Sequence, residues 1–190
     1  MLAGKKIAVL LENRFIDHEI IYYSHRFAEE DISVDFLTRL WGQQSLTFKG
    51  LELGMQMTVN KSFEGISDAE LKAYSAVIMP AGMVADMLRY AEKPGDLAPA
   101  VLFMKRAMAE KSILKATLCH GLWIFDPIPV IIKGRKVTCH NNIIGSVKNA
   151  GAVYVDQDIV IDNDLVTART GGMFARFAHT IIGELNKKRR

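Results

Sequence analysis

A thiol and an imidazole stand side by side at the end of an apolar run in this sequence. The stretch LKATLCHGLWIF covers residues 114–125, and its Cys119 and His120 directly follow the run 114–118. The run predicts a short buried strand. Small residues lie two positions before and two positions after Cys119, the second being Gly121. This layout predicts a nucleophile elbow, a tight strand-to-helix turn that pushes the nucleophile out of the sheet.

The predicted position of Cys119 at the first turn of a helix has chemical consequences. The positive end of the helix dipole is expected to lower the pKa of the thiol and to enrich the thiolate. Free backbone N–H groups at the same turn can stabilise an oxyanion. The other interpretation of Cys119 is an inert packed side chain, since cysteine is among the most buried residue types. The elbow context favours the nucleophile.

Strands alternate with helices along the rest of the chain. Strands are predicted within residues 5–11, 32–38, 74–82, 114–118 and 135–139, with a hairpin at 158–169 that turns at 162–164. Helices are predicted within residues 15–31, 83–90, 97–110, directly after Cys119, 142–150 and 173–186. Residues 45–63 predict a small antiparallel excursion. The order indicates an α/β protein with a mainly parallel sheet and helices on both faces.

Several polar or small segments come directly after predicted strands. These segments are Glu12-Asn13, Pro80–Gly82, Cys119-His120 and Thr170–Gly172. Because sites in parallel sheets lie beyond the carboxyl ends of the strands, we expect these segments to share one edge of the sheet.

Composition limits the function classes. The 190 residues suit one domain, 1–190, with 49% hydrophobic and 24% charged residues. A net charge of +3 argues against nucleic-acid or membrane partners, and no stretch approaches the roughly 20 apolar residues that span a bilayer. Two cysteines cannot form a disulfide framework, so a cytoplasmic location is expected. The basic end at 187–190 is expected to keep a terminal helix solvated.

Cofactor motifs are absent from the sequence. It contains neither a Gly-x-Gly-x-x-Gly pattern nor a P-loop, and its five histidines show no paired metal-ligand spacing. We therefore expect no metal and no organic cofactor.

Several segments, taken together, resemble the ThiJ/PfpI superfamily, which includes intracellular cysteine peptidases, the parkinsonism-associated protein and glutathione-independent glyoxalases. The resemblance extends over about residues 5–187. The segments are the Cys-His-Gly elbow, NRFIDHEIIYYSHRFAEEDISVDF, AVIMPAGMVADMLR, IKGRKVT and KNAGAVYVDQDIVIDNDLVTAR. The resemblance implies a flavodoxin-like three-layer sandwich and a homodimer or larger homo-oligomer.

The resemblance also assigns roles to individual residues. Cys119 matches the nucleophile, His120 its neighbour, and Glu19 a helix glutamate whose protonated carboxyl group donates a hydrogen bond to the thiol. Glu19 lies on the apolar face of its helix, where burial would raise its pKa. The backbone N–H of Gly82 is expected to hold an oxyanion together with that of His120. Ala81 stands where the family has another glycine, so this loop carries one methyl group more than the family pattern.

Other positions bear on the substrate. Asp86 matches a glutamate that, in the peptidase branch, reaches the histidine of a neighbouring subunit; the alternative is a solvated helix residue. Trp123, directly beyond the elbow, is expected to narrow the pocket. His18 and His140 are candidates for the edge of the pocket, and a structural role is equally compatible with each. Cys139 is interpreted as an ordinary strand residue.

The sequence predicts, as the first of three candidate functions, a PfpI-like cysteine hydrolase of peptides or amides, built on Cys119, His120 and Asp86, and two alternatives stay open. The second is a glyoxalase- or deglycase-type enzyme acting on dicarbonyl compounds, which needs Cys119 and Glu19 but no intersubunit acid. The third is a redox sensor, stress protein or chaperone in which Cys119 is oxidised without turnover.

Overall fold

A computed structural model of the chain describes residues 2–187. The strands of this part are β1 Lys6–Leu10, β2 Ser33–Leu37, β3 Leu46–Lys49, β4 Gln56–Val59, β5 Ala76–Met79, β6 Leu114–Leu118, β7 Lys136–Val137, β8 Val153–Tyr154, β9 Ile159–Asp162 and β10 Leu165–Ala168. Its α-helices are α1 Asp17–Ala28, α2 Asp68–Lys72, α3 Val84–Leu88, α4 Pro99–Ala109, α5 Ile144–Asn149 and α6 Phe174–Lys187. The basic segment 188–190 lies outside the described residues.

A six-stranded sheet forms the middle layer, in the order β2-β1-β5-β6-β10-β9. All neighbouring strands are parallel except β9, which pairs antiparallel with β10. Every residue of β5 and β6 is buried, as expected where a parallel sheet is covered on both faces. Helices α1 and α6 pack against each other, whereas α3 and α4 form a second group. The predicted flavodoxin-like α/β architecture is confirmed.

The predicted antiparallel excursion is also present. It is the two-stranded sheet of β3 and β4, in which Leu46 pairs with Val59 and Lys49 with Gln56. The hairpin of β9 and β10 likewise turns where Asp162, Asn163 and Asp164 predicted a turn. The types of the three turn residues were therefore sufficient to locate the turn of this hairpin.

The segment that follows Cys119 differs from the prediction. Instead of an α-helix, residues Gly121–Phe125 and Pro129–Ile132 form two short 3₁₀ turns. Pro127 and Pro129 account for this, because proline lacks the N–H that the next helical turn requires. The strand predicted at 135–139 is also shorter, because only Lys136–Val137 pair, with β8 and outside the main sheet.

The described helices bear on membrane insertion. Between residues 2 and 187, the structure has no helix that combines the length and the apolar character required to cross a bilayer.

Candidate active site

Cys119 occupies a strained turn directly beyond β6. Its backbone φ is +58°, in the left-handed region that residues other than glycine seldom adopt. The turn is held on both sides, because the Cys119 N–H donates to the carbonyl of Ala168 and the Cys119 carbonyl accepts from the N–H of His140. A Cβ added at Gly121 would lie 2.9 Å from the Met79 carbonyl oxygen. The predicted tight turn after the strand is present, although a 3₁₀ turn and not an α-helix follows it, and close packing explains why a residue without a side chain stands at position 121.

Backbone N–H groups surround the sulfur atom of Cys119. Burial raises the pKa of the thiol, and hydrogen bonds from the N–H groups of Gly171, His120 and Gly82 offset this only in part. The expectation that a helix dipole lowers this pKa is therefore wrong. The 3₁₀ turn after Cys119 is too short to develop a strong dipole, and desolvation is the larger effect.

Glu19 lies fully buried on the inner face of α1, and its carboxyl group faces the loop that follows β5. Burial raises the pKa of Glu19 to about 8, as its place on the apolar face predicted. Its Oε2 accepts a hydrogen bond of 2.9 Å from the N–H of Ala81. Its Oε1 is buried and has no partner of normal hydrogen-bond geometry within the described chain. The carboxyl group is therefore protonated near neutral pH.

The contact between Glu19 and Cys119 is electrostatic in this structure. A negative charge on Glu19 would raise the pKa of Cys119 further. The hydrogen bond between the two side chains that the resemblance implied is not formed among the described residues, since Oε1 remains unpaired. The Tyr23 hydroxyl interacts with the same carboxyl group, and Glu19 lies close enough to Cys119 to act on the thiol electrostatically.

Gly82 has a backbone conformation that requires glycine. Its φ is +84°, and a Cβ there would come within 2.3 Å of the Arg14 carbonyl oxygen. We expect Gly82→Ala to lower the free energy of unfolding by about 3 kcal/mol, because backbone strain adds to a clash with another backbone segment. Urea denaturation measures this change. Gly145→Ala is the control, because a Cβ at that helical position meets nothing within 4 Å; equal effects of the two substitutions would contradict the argument.

The His120 ring lies next to the thiol, between two aromatic neighbours. Its Nδ1 is 3.2 Å from the Cys119 sulfur. The ring stacks on His140 with 4.5 Å between centroids and lies 4.8 Å from the Trp123 ring. Burial lowers the pKa of His120, the neighbouring His140 lowers it further, and the negative charge of Asp86 opposes both. His120 is therefore uncharged near neutral pH and able to accept a proton.

Asp86 lies on the short helix α3 and acts on His120 of its own chain. Its carboxylate forms an ion pair with Arg89 at 2.7 Å, and Arg89 also contacts Asp126 at 2.9 Å. The Arg89 guanidinium lies over the Trp123 ring, 5.2 Å from its centroid. This network connects Asp86 and Trp123, two predicted site residues that are far apart in sequence.

A buried aspartate that sequence reasoning missed positions one wall of the site. Asp17 is fully buried, and its carboxylate accepts hydrogen bonds from the N–H groups of Glu52, Leu53 and Met55 at 2.7–3.2 Å. Burial alone would raise the pKa of Asp17, but these hydrogen bonds lower it below its ordinary value. The signal in the sequence was an acidic residue beside the apolar face of α1, which gave no indication of its distant partner.

These elements border a cavity of about 320 Å³ that is partly open to solvent. It is lined by Ile16, Leu51, Glu52, Gly82, Met83, Cys119, His120, His140, Thr170, Gly171 and Gly172. The predicted edge of the sheet is thus brought together at the segments after β5, β6 and β10. Within residues 2–187, no group of three His, Cys, Asp or Glu side chains is placed to hold a metal ion.

Two remaining residues differ in their relation to the cavity. Cys139 is buried with 1% exposure in the hydrophobic core. Burial raises its pKa to about 12, so this thiol is poorly suited to nucleophilic chemistry. His18 lies at the surface, where its Nδ1 is 2.8 Å from Oε2 of Glu52.

The fold and the elbow together define a class: a flavodoxin-like α/β protein with a cysteine at the carboxyl edge of its parallel sheet. The sequence matches the DJ-1/PfpI family over residues 5–184, and the chain belongs to that family. The resemblance drawn from the sequence is therefore confirmed.

Three similar proteins illustrate this relationship. Protein/nucleic acid deglycase 2 of Escherichia coli is 34% identical over 168 residues, which cover 88% of this chain and 90% of the relative. The putative cysteine protease YraA of Bacillus subtilis is 30% identical, with 88% and 90% covered. A two-domain protein of Anabaena variabilis with DJ-1/ThiJ/PfpI-like and ferritin-like domains superimposes with a TM-score of 0.82 at 26% identity, covering 96% of this chain and 48% of that one.

Proposed function

We propose that this protein is a cysteine-dependent enzyme that hydrolyses small carbonyl adducts, in the manner of a deglycase. The observation that carries the proposal is the position of the Cys119 thiol in a cavity of about 320 Å³, beside a carboxyl group with a pKa of about 8. A cavity of this size suits a small dicarbonyl adduct better than an extended peptide. The name of the Escherichia coli relative, a deglycase, supports the same class.

The first chemical step follows from the contacts of the thiol. The sulfur of Cys119 adds to the electrophilic carbon, its proton passes to Nδ1 of His120 at 3.2 Å, and the carbonyl electron pair moves onto oxygen. The N–H groups of Gly82 and His120 stabilise this oxyanion. The proton of Glu19 then neutralises it. The amine on the neighbouring carbinol carbon then leaves with the proton held by His120, while the carbinol O–H gives its proton to Glu19 and becomes an aldehyde. Finally the carbon–sulfur bond breaks, the proton of the adjacent hydroxyl group returns to the sulfur, and the free dicarbonyl compound is released and hydrated by water.

A cysteine peptidase or amidase is the second candidate, and Asp86 favours it. The charge of Asp86 raises the pKa of His120, which is the action expected of the acid in a Cys-His-Asp arrangement. The Bacillus subtilis relative is named a putative cysteine protease. In the version with an intersubunit acid, the homo-oligomer would be required for activity, and Asp86 would exchange Arg89 for a histidine of another subunit.

A substrate panel tests the proposal. Purified protein and a Cys119→Ser blank are assayed against amine adducts of methylglyoxal, methylglyoxal alone, simple amides and peptides. Cys119-dependent release of amine from the adducts is the expected result. Turnover of peptides alone would support the hydrolase, whereas reversible peroxide oxidation of Cys119 without any turnover would support the redox sensor and contradict both enzymes.

The Asp86→Asn variant separates the two enzymatic candidates. If Asp86 only stabilises the surface network with Arg89, turnover of carbonyl adducts should fall by less than about threefold. If Asp86 is the acid of a peptidase triad, peptide hydrolysis should fall about 10⁴-fold. Steady-state kinetics on both substrate types distinguishes these results, and size-exclusion chromatography confirms that the assembly is unchanged. Asp126→Asn, at the other acidic partner of Arg89, is the matched control.

A further inference from the structure

The cavity around Cys119 has a marked charge asymmetry. Among its described lining residues, Glu52 carries the only formally charged side chain, and the others are apolar, glycine, threonine, histidine or the cysteine itself. Glu19 is protonated and His120 uncharged near neutral pH, so neither compensates a charge in the cavity. A single carboxylate in a partly enclosed space attracts cations and repels anions.

The Glu52 backbone is held in place by the fold. The buried carboxylate of Asp17 accepts a hydrogen bond of 2.8 Å from the Glu52 N–H and further ones from Leu53 and Met55. The chain passes so close to Asp17 that a Cβ on Gly50 would lie 2.1 Å from a carboxylate oxygen. The Glu52 backbone is thus anchored by a buried carboxylate, while its side chain is 40% exposed at the edge of the cavity.

The exposed ring of His18 contacts Glu52 from outside the cavity. Both contacts, from the N–H of the His18 backbone and from Nδ1, go to Oε2 of Glu52. Within the described residues, Oε1 of Glu52 has no such contact and can meet a ligand. The same carboxylate charge also raises the pKa of Glu19, so Glu52 acts electrostatically on the interior of the site.

We propose that Glu52 determines substrate specificity by selecting carbonyl compounds that carry a cationic group close to the reacting carbon. Carbonyl compounds with an ammonium or guanidinium group near the reacting carbon belong to this class, whereas substrates with a carboxylate or phosphate are disfavoured. The proposal rests on the proposed function, because it concerns the substrate of the same cysteine.

Charged thiol reagents test this selection without any turnover assay. Trimethylammonium-ethyl and sulfonato-ethyl methanethiosulfonate both transfer a thioalkyl group to a cysteine, forming a disulfide as methanesulfinate leaves. They differ in charge and are similar in size. The rate of Cys119 modification by each reagent is measured by intact-mass spectrometry, with Cys119→Ser as the blank.

The wild type is expected to react faster with the cationic reagent than with the anionic one. The Glu52→Gln substitution is expected to reduce the ratio of these two modification rates about tenfold. Glu52→Lys should invert the preference. Glu64→Gln is the matched control, since this glutamate pairs with Arg39 and does not line the cavity, and its ratio should equal that of the wild type. The anchor from Asp17 reaches only the backbone of Glu52, so these variants should fold normally, as thermal denaturation can verify.

An unchanged rate ratio in Glu52→Gln would overturn the specificity proposal and leave the catalytic role of Cys119 untouched. Failure of all reagents to modify the wild-type Cys119 would contradict both proposals, because the thiol would then be closed to small molecules. As a second readout, kcat/KM is compared for phenylglyoxals with a para-trimethylammonium or a para-carboxylate group. A preference for the cationic compound that disappears in Glu52→Gln is the expected result.

Discussion

The Cys119→Ser variant is expected to turn over carbonyl adducts at least about 10³-fold more slowly than the wild type. A serine hydroxyl is a much weaker nucleophile than a thiol, and His120, whose pKa burial lowers, is a poor base for activating it. The backbone N–H groups of Gly171, His120 and Gly82 can still donate to the smaller oxygen atom, so the turn should keep its structure.

Measurement of kcat/KM, with circular dichroism to verify the fold, checks this expectation. Cys139→Ser is the matched control, because it makes the same chemical change at a buried cysteine that does not line the cavity. Its turnover should remain close to that of the wild type. Residual activity of Cys119→Ser within tenfold of the wild type would show that another group performs the chemistry.

The Glu19→Gln variant is expected to be more stable than the wild type, by up to about 4 kcal/mol at pH 8 and by almost nothing at pH 4. Burial raises the pKa of Glu19 to about 8 in the folded protein, against an ordinary value of 4.5. At a pH between these two pKa values, Glu19 is protonated in the folded state and ionised in the unfolded state. The stability of the wild type therefore falls as pH rises through this range, and an uncharged glutamine removes the dependence.

Activity should change in the opposite direction. Glutamine can keep the acceptor for the N–H of Ala81, but its amide is a far weaker acid than a carboxyl group. Without the proton of Glu19, kcat is expected to fall about 10²-fold. A more stable but less active variant would show that this buried acid is retained for chemistry and not for folding.

Urea denaturation from pH 4 to pH 8, together with kinetics at each pH, tests both effects. Glu29→Gln is the control, since Glu29 is exposed at the carboxyl end of the same helix. Its stability difference from the wild type should be small and independent of pH. If the difference in unfolding free energy between Glu19→Gln and the wild type were also constant with pH, the Glu19 carboxyl group would not be protonated in the native protein.

Features that depend on neighbours along the chain were well predicted from the sequence. Small residues around Cys119 predicted the elbow, because backbone sterics at a sharp turn act over a few positions. The place of Glu19 among apolar residues predicted its burial and the direction of its pKa shift. The helix predicted after Cys119 is the exception, because Pro127 and Pro129 end it so early that only a 3₁₀ turn forms there.

The sequence by itself determined the α/β architecture and the sharp turn at Cys119, and it predicted Cys119 as the nucleophile, because hydrophobic period and turn sterics are properties of consecutive residues. Only the tertiary structure decided the state and surroundings of that nucleophile. Desolvation of Cys119, the hydrogen bonds that Asp17 accepts from the chain around Glu52 and the shape of the cavity all arise between segments that are distant in sequence. The physical reason is that solvation and charge depend on what surrounds a group in three dimensions, and no local pattern encodes those surroundings.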